Sequence, residues 1–202
     1  MFISFEGIDG VGKSTQLEML QAHLVAKGHT VLRTLEPGGT ELGQEIRHLL
    51  LHRKGDVAPR AEALLYAADR AHHVATKIRP ALARGEIVLT DRFFDSSVAY
   101  QGAARDLDVN QVRDISLWAV DNLIPDLTIL LDLPAEDAMS RRSKTGTEPD
   151  RLEQEKVDFF ERARQMYLEL AMEPRFLVVD ARKSVDEIQS EIRARLAQQG
   201  IS

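Results

Sequence analysis

The chain contains no cysteine among its 202 residues. Disulfides, thiol nucleophiles and zinc–thiolate centres are therefore excluded together. A basic surplus is missing too: 26 lysines and arginines stand against 32 acids, a formal net charge of -6. A general nucleic-acid binder carries the opposite balance, so no nucleic-acid partner is expected. If the ligands are polyphosphates, the positive charge that meets them must be gathered locally. No apolar run approaches the length of a membrane span, and the start has neither the basic region nor the apolar stretch of a signal peptide. The expectation is a soluble cytoplasmic protein with no membrane partner. Repeats, low-complexity tracts and linkers are also lacking, and 44% hydrophobic residues over this length suit one domain, 1–202.

What is present is organised around Gly7-Ile8-Asp9-Gly10-Val11-Gly12-Lys13-Ser14-Thr15, directly behind the apolar run from Met1 to Phe5. Glycine, four residues, then Gly-Lys-Ser between a strand and a helix is the pattern of a nucleotide phosphate site. The glycines let the backbone curl so that N–H groups point inward, and Lys13 adds a mobile cation for β- and γ-phosphates. Ser14 offers a hydroxyl to Mg²⁺, while the helix behind it aims its positive end at the phosphates. A plain glycine turn would need neither the lysine nor the hydroxyl.

Leu17, Leu20 and Leu24 mark one face of a helix over 15–26 that stops at Gly28, and 30–35 reads as a second strand. Strand, helix, strand in that rhythm predicts a right-handed crossover and a parallel sheet, with ligands beyond the carboxyl ends of the strands. Further strands are expected at 87–90, 127–131 and 176–180. Helices are expected over 41–51, where Arg47 lies, over 58–84, and over 109–122 with Trp118 in the core. Another begins at Asp150 and runs to about Ala171 with Phe159, Phe160, Ala163 and Tyr167 as its core stripe. Ser184 and Glu187 form a capping box for the last helix.

Between these elements lie the polar candidates. Glu36-Pro37-Gly38-Gly39-Thr40 is a strong turn signal. Tyr66 and Arg70 are four apart and share a helix face, which offers a ring and a cation to one ligand or belongs to an ordinary amphipathic helix. His72 and His73 point apart and cannot clamp a metal, so surface or packing roles are expected. Asp91, ending the third strand, is suited to hold Mg²⁺ directly or through water, with Arg92 beside it for an acceptor phosphate; a strand-end salt bridge is the plain alternative. Ser96, Ser97, Tyr100 and Gln101 make a polar rim for a planar ligand. From Glu136 to Arg151 the character changes, with Arg141, Arg142 and Lys144 ahead of Thr145-Gly146-Thr147-Glu148-Pro149. Glycine and proline among polar residues predict a mobile loop there, read as a lid over phosphates at about 141–151 or as a solvated charge cluster.

Phe5 to Thr15, Glu36 to Thr40, Asp91-Arg92-Phe93, Ser96-Ser97-Val98-Ala99-Tyr100-Gln101-Gly102 and Pro125-Asp126-Leu127-Thr128 occur in the order and spacing of bacterial thymidylate kinases. The chain resembles that P-loop kinase family over nearly its whole length. The P-loop is shared by many families, whereas the Glu-Pro-Gly-Gly and Ser-Ser-Val-Ala-Tyr-Gln-Gly stretches are far more specific. The resemblance implies a P-loop NTPase three-layer α/β fold, a five-stranded parallel sheet flanked by helices with a short lid, and a homodimer. It implies transfer of the γ-phosphate of ATP to dTMP with Mg²⁺, giving dTDP for dTTP biosynthesis.

By matching motif, the resemblance puts ATP on Gly7, Ile8, Asp9, Gly10, Val11, Gly12, Lys13, Ser14 and Thr15, and Mg²⁺ at Ser14, Asp91 and Asp9. Tyr66 would wall the thymine, Arg70 and Ser97 would contact it, and Tyr100 would crowd the sugar 2′ position. Asp9 would lie near the 3′-hydroxyl, Arg47 and Arg92 would hold the acceptor phosphate, and Glu36, Pro37, Ser96 and Gln101 would complete the dTMP site. Lys13, Asp9, Arg92 and a lid arginine, Arg142 and then Arg151, are expected to act at the transferred group. Two positions depart from the family: Leu35 stands where many members have an arginine, and Gly10 stands where some carry one inside the P-loop. The second departure leaves that role to the lid.

An acceptor phosphate monoester has a second pKa of about 6 and is mostly dianionic at neutral pH. No general base is needed, and alignment with charge neutralisation is sufficient. A kinase for another deoxynucleotide or a deoxynucleoside is the nearest alternative; a nucleoside hydroxyl would need a base, and Glu36 is the one candidate. A non-catalytic nucleotide switch lacks its guanine-reading Asn-Lys-x-Asp stretch and would leave the acceptor residues without a purpose.

Overall fold

The computed structural model describes residues 1–143 and 150–201. β1 (Phe2–Glu6), β2 (Val31–Leu35), β3 (Ile87–Asp91), β4 (Leu127–Asp132) and β5 (Phe176–Asp180) form one parallel sheet in the order β2-β3-β1-β4-β5. This is the expected five-stranded α/β architecture. The middle strands are enclosed along their length, and a strand covered on both faces reads as a continuous apolar run, as Phe2, Ile3 and Phe5 or Val88 and Leu89 do. Acids end β1, β3, β4 and β5 along a single rim, and the polar candidates collect there.

α1 (Lys13–Ala26) packs on β1, β2 and β3 through Leu17, Leu20 and Leu24, and α9 (Val185–Gln198) packs on α1 and β5. α2 (Glu41–Leu51), capped by the Thr40 hydroxyl on Gly43 N–H, lies against α3 (Pro59–His73). The helical path from α3 continues through a π-helical turn (Val74–Ile78) into α4 (Arg79–Ala83). Pro80 explains the widening: it has no N–H to give and its ring would crowd the carbonyl one turn back. α5 (Phe94–Ser97) leads into a second π-helical segment (Val98–Ala104), and α6 (Val109–Ala119) and α8 (Val157–Leu170) pack upon it; α7 (Ala135–Ser143) packs on α8.

Three expectations need correction. Trp118 is 80% exposed and not core. α6 buries Val112 and Ser116, four apart, and Trp118 lies about 200° round the helix from Ser116. The loop expected from Glu136 is instead α7 as far as Ser143, so Arg141 and Arg142 stand on a helix; its acids in the first turn and bases in the last suit the helix dipole. Finally, the helix expected from Asp150 starts only at Val157. Asp150 Oδ1 accepts the N–H groups of Leu152 and Glu153, an Asx turn that competes with helix. The rest of the expected lid, Lys144 to Pro149, lies outside the described residues.

Candidate active site

The P-loop connects β1 to α1 and is pressed between β4 and α7. A Cβ on Gly7, at φ +129°, would stand 2.5 Å from the Leu131 carbonyl oxygen, and one on Gly10 would collide with that of Ala138. Only glycine fits both the dihedral and the space. Lys13 is 7% exposed and curls back so that Nζ donates to the carbonyls of Gly7 (2.9 Å) and Ile8 (3.0 Å), with Asp9 at 3.9 Å. Burial first, and the Arg92 charge second, lower its pKa. The cavity above is lined by Asp9, Gly10, Gly12, Lys13, Ser14 and Thr15 of the loop, with Asp91, Arg92, Arg141 and Arg142 around it. Of the expected ATP residues, Ile8 and Val11 are buried in the core under the loop. Leu35 reaches the rim of this cavity, so no cation stands at that place.

Ser14 Oγ is 3.4 Å from Asp91 Oδ2, and Asp91 Oδ1 is buried with no hydrogen-bond partner among the described residues. A hydroxyl beside a carboxylate with a spare oxygen suits Mg²⁺, which takes few protein ligands and completes its shell with phosphates and water. Among the described residues no three His, Cys, Asp or Glu side chains cluster as an all-protein metal cage. Asp9, the third expected ligand, lines the same cavity and gives its Oδ1 to Arg92.

A second cavity adjoins the first. Every residue expected for the acceptor lines it: Asp9, Glu36, Pro37, Arg47, Tyr66, Arg70, Arg92, Ser96, Ser97, Tyr100 and Gln101. Arg70, 1% exposed, is fixed by three contacts: Nε to Glu36 Oε2 at 2.6 Å, Nη1 to Ser97 Oγ at 3.1 Å and Nη2 to the Phe93 carbonyl at 3.3 Å. Glu36 is held on its other oxygen by His73 Nδ1 at 2.9 Å, and His73 Nε2 meets Thr34 Oγ1 at 2.7 Å. Arg47 donates to the Pro37 carbonyl at 2.9 Å.

Where the cavities meet, Arg92 adopts a left-handed backbone at φ 70°, a conformation costly for a side-chain-bearing residue and tolerated where the surroundings impose it. The imposing groups are plain. Its guanidinium donates to Asp9 Oδ1 (2.7 Å), Ser96 Oγ (3.0 Å) and Tyr167 OH (3.2 Å), and lies 5.0 Å from the Tyr100 ring centroid. Burial alone would raise the Asp9 pKa, but Arg92 and then Lys13 outweigh it and hold it at about 2. Below this cluster Glu6 Oε1 accepts from Phe93 N–H, and its Oε2 is hydrogen-bonded with Ser96 Oγ and Tyr167 OH. Tyr100 and Tyr66 are both pushed upward by burial and stay as phenols.

Arg142 lines the P-loop cavity and pairs with Glu153, whereas Arg151 is not brought there. Its Nε donates to the Leu50 carbonyl at 2.8 Å and its Nη2 pairs with Glu62. The Asx turn at Asp150 directs it toward α2 and α3 instead of the P-loop.

The family model described as Thymidylate kinase matches residues 5–192. The chain belongs to the thymidylate kinase family. It is 62% identical over 197 residues to a thymidylate kinase of Leifsonia xyli subsp. xyli, covering 97% of this chain and 94% of the relative. It is 60% identical to that of Clavibacter sepedonicus, over 96% and 93% of the two chains, and 50% identical to that of Halothermothrix orenii, over 95% and 94%. Within this thymidylate kinase family member, sequence reasoning found the residues that line the cavities and missed those behind them. Thr34, His73, Tyr167 and Glu62 carry no motif, and Glu6 lies within the Phe5 to Thr15 stretch without a role read from it; the one further signal is a polar residue on an otherwise core-facing stripe, as for Tyr167 and His73.

Proposed function

We propose that the P-loop cavity holds ATP and the adjoining cavity holds dTMP, and that the enzyme phosphorylates dTMP to dTDP for dTTP synthesis by in-line transfer across the Asp9–Arg92 junction. The observation that carries this reading is the meeting of the two cavities: a lysine-bearing anion cradle on one side, and on the other a site with Arg70, Ser97 and Gln101 at one end and Arg92 and Arg47 at the other. The acceptor phosphate is already largely dianionic at neutral pH. The protein therefore acts by alignment and by cancelling repulsion, with Lys13 on the donor, Arg92 and Arg47 on the acceptor, and Arg142 on the group in flight. Asp9 keeps Arg92 extended toward the junction. Tyr100 fills the space at the sugar 2′ position.

Ser14 and Asp91 would hold Mg²⁺, which would supply neutralisation of the donor phosphate charge. The kinase is a single domain, with Arg142 at the end of α7 as the arginine for the transferred group and Arg151 outside the P-loop cavity. A nucleoside as acceptor is disfavoured because both oxygens of Glu36, the base nominated from the sequence, are committed to Arg70 and His73, and Asp9 is paired with Arg92. The proposal includes a cytoplasmic homodimer without nucleic-acid partners. Leu64 on α3 and Trp118 on α6, 54% and 80% exposed, are apolar surface for such self-association, and no helix of the described residues is long and apolar enough to cross a membrane. A coupled ADP-release assay over dTMP, dCMP, dGMP, UMP and thymidine tests the function. Strong preference for dTMP is expected; equal rates across the panel, or preference for thymidine, would refute it.

A further inference from the structure

Glu62 lies on α3 one turn before Tyr66, is fully buried, and has no part in the chemistry above. Three donors converge on it: Gln101 Nε2 at 2.9 Å, Arg105 Nε at 3.4 Å and Arg151 Nη2. A carboxylate accepts and does not donate, so the Gln101 amide has one way to face it, nitrogen toward Glu62 and oxygen away. That oxygen receives no hydrogen bond among the described residues and is not sealed from the acceptor cavity, which Gln101 lines beside Ser97 and Arg70. Gln101 itself is 2% exposed within the π-helical segment and has little room to swing. The two arginines hold the carboxylate in turn. Arg105 also reaches Glu155 and lies 4.8 Å from the Phe159 ring centroid, and Arg151 is tied to Leu50.

We propose that Glu62 is a positioning residue for base selection: by fixing the Gln101 amide it presents a lone acceptor to N3 of the pyrimidine. This rests on the reading of that cavity as the dTMP site. Thymine and uracil carry a proton on N3 and satisfy the acceptor. Cytosine has a lone pair there, so two acceptors would face each other in a buried site, each deprived of water. A site built to receive a donor rejects a ligand that lacks it far more strongly than a difference in shape would.

The test measures kcat/KM for dTMP, dUMP and dCMP with the wild type, Glu62→Gln, and the double variant Glu62→Gln with Gln101→Glu. An amide at position 62 both donates and accepts, which frees Gln101 to turn over. In Glu62→Gln the dTMP:dCMP ratio is expected to fall about tenfold or more, while the dTMP:dUMP ratio, which senses only the C5 methyl, stays within about twofold. A merely structural lesion lowers all three together and moves neither ratio. The double variant restores an acceptor-only group at position 101 facing a donor at position 62, with the net charge unchanged, and is expected to recover the dTMP:dCMP ratio. A selective wild type whose Glu62→Gln variant keeps the dTMP:dCMP ratio overturns the inference alone. If the single variant does not fold, failure of the double variant to discriminate dCMP does the same. A wild type that takes dCMP as readily as dTMP overturns the reading of the cavity and this inference with it.

Discussion

Replacing Glu6 by glutamine tests the electrostatics beneath the reaction centre. Glu6 ends β1 with no exposure, and its oxygens meet Phe93 N–H at 2.8 Å, Ser96 Oγ at 2.6 Å and Tyr167 OH at 3.1 Å. Burial, reinforced by the Asp95 charge, pushes its pKa from an ordinary 4.5 up to about 8. At neutral pH it is therefore a neutral acid, and it does not compete with the acceptor phosphate for Arg92. The unfolded chain releases this proton near 4.5 while the folded chain holds it to about 8. The contribution of Glu6 to stability is thus full below the lower value, declines between the two, and is lost above the upper one. At about 1.4 kcal/mol per tenfold in proton affinity, the ceiling of that loss is on the order of 5 kcal/mol. Glu6→Gln removes the titration and keeps the contacts, its oxygen accepting from Phe93 and its nitrogen donating to Ser96 and Tyr167. Urea denaturation of both proteins at about pH 5 and about pH 9 should show the variant gaining, relative to wild type, on the order of 2–4 kcal/mol across the interval. A variant that is less stable by the same amount at both pH values would mean that Glu6 is ionised throughout, paired with Arg92, and the reasoning would fail.

Lys13→Ala removes the cation at the migrating group and should lower kcat by about a hundredfold or more with little change in folding; near-normal kcat contradicts the role. Arg142→Ala should cost about a hundredfold in kcat while Arg151→Ala leaves kcat within about threefold, and single-turnover rates in the reverse order would return Arg151 to the reaction centre. Asp91→Asn should raise the Mg²⁺ concentration for half-maximal rate by about tenfold, a shift that a titration without change would rule out. Leu64→Glu with Trp118→Glu should convert a dimer to a monomer by sedimentation; an unchanged sedimentation coefficient would place self-association elsewhere.

What could be read from the sequence was what the backbone encodes locally. The P-loop is legible because its glycines, lysine and serine are neighbours in the chain and their spacing is itself the geometry. Likewise the middle strands are apolar runs, and α2 occupies the expected 41–51. The stretch from Glu136 to Ser143 reads as loop because glycine and proline at 146 and 149 colour the whole segment, whereas the helix-forming residues before them build α7. Trp118 was assigned by its bulk, although its angular place on α6 put it outside. The partners of the supporting residues were not legible. Glu6 meets Tyr167 across 161 positions and Glu62 meets Gln101 across 39, and no local pattern reports a contact closed only by the fold.

The most direct measurement is a crystal structure with dTMP and a non-hydrolysable ATP analogue bound together. The account predicts the thymidine between Tyr66, Arg70 and Tyr100, its phosphorus beside Arg92 and Asp9 and in line with the terminal phosphate held by Lys13. A nucleotide pair bound with the acceptor phosphorus away from Arg92, or out of line with the donor, would contradict it.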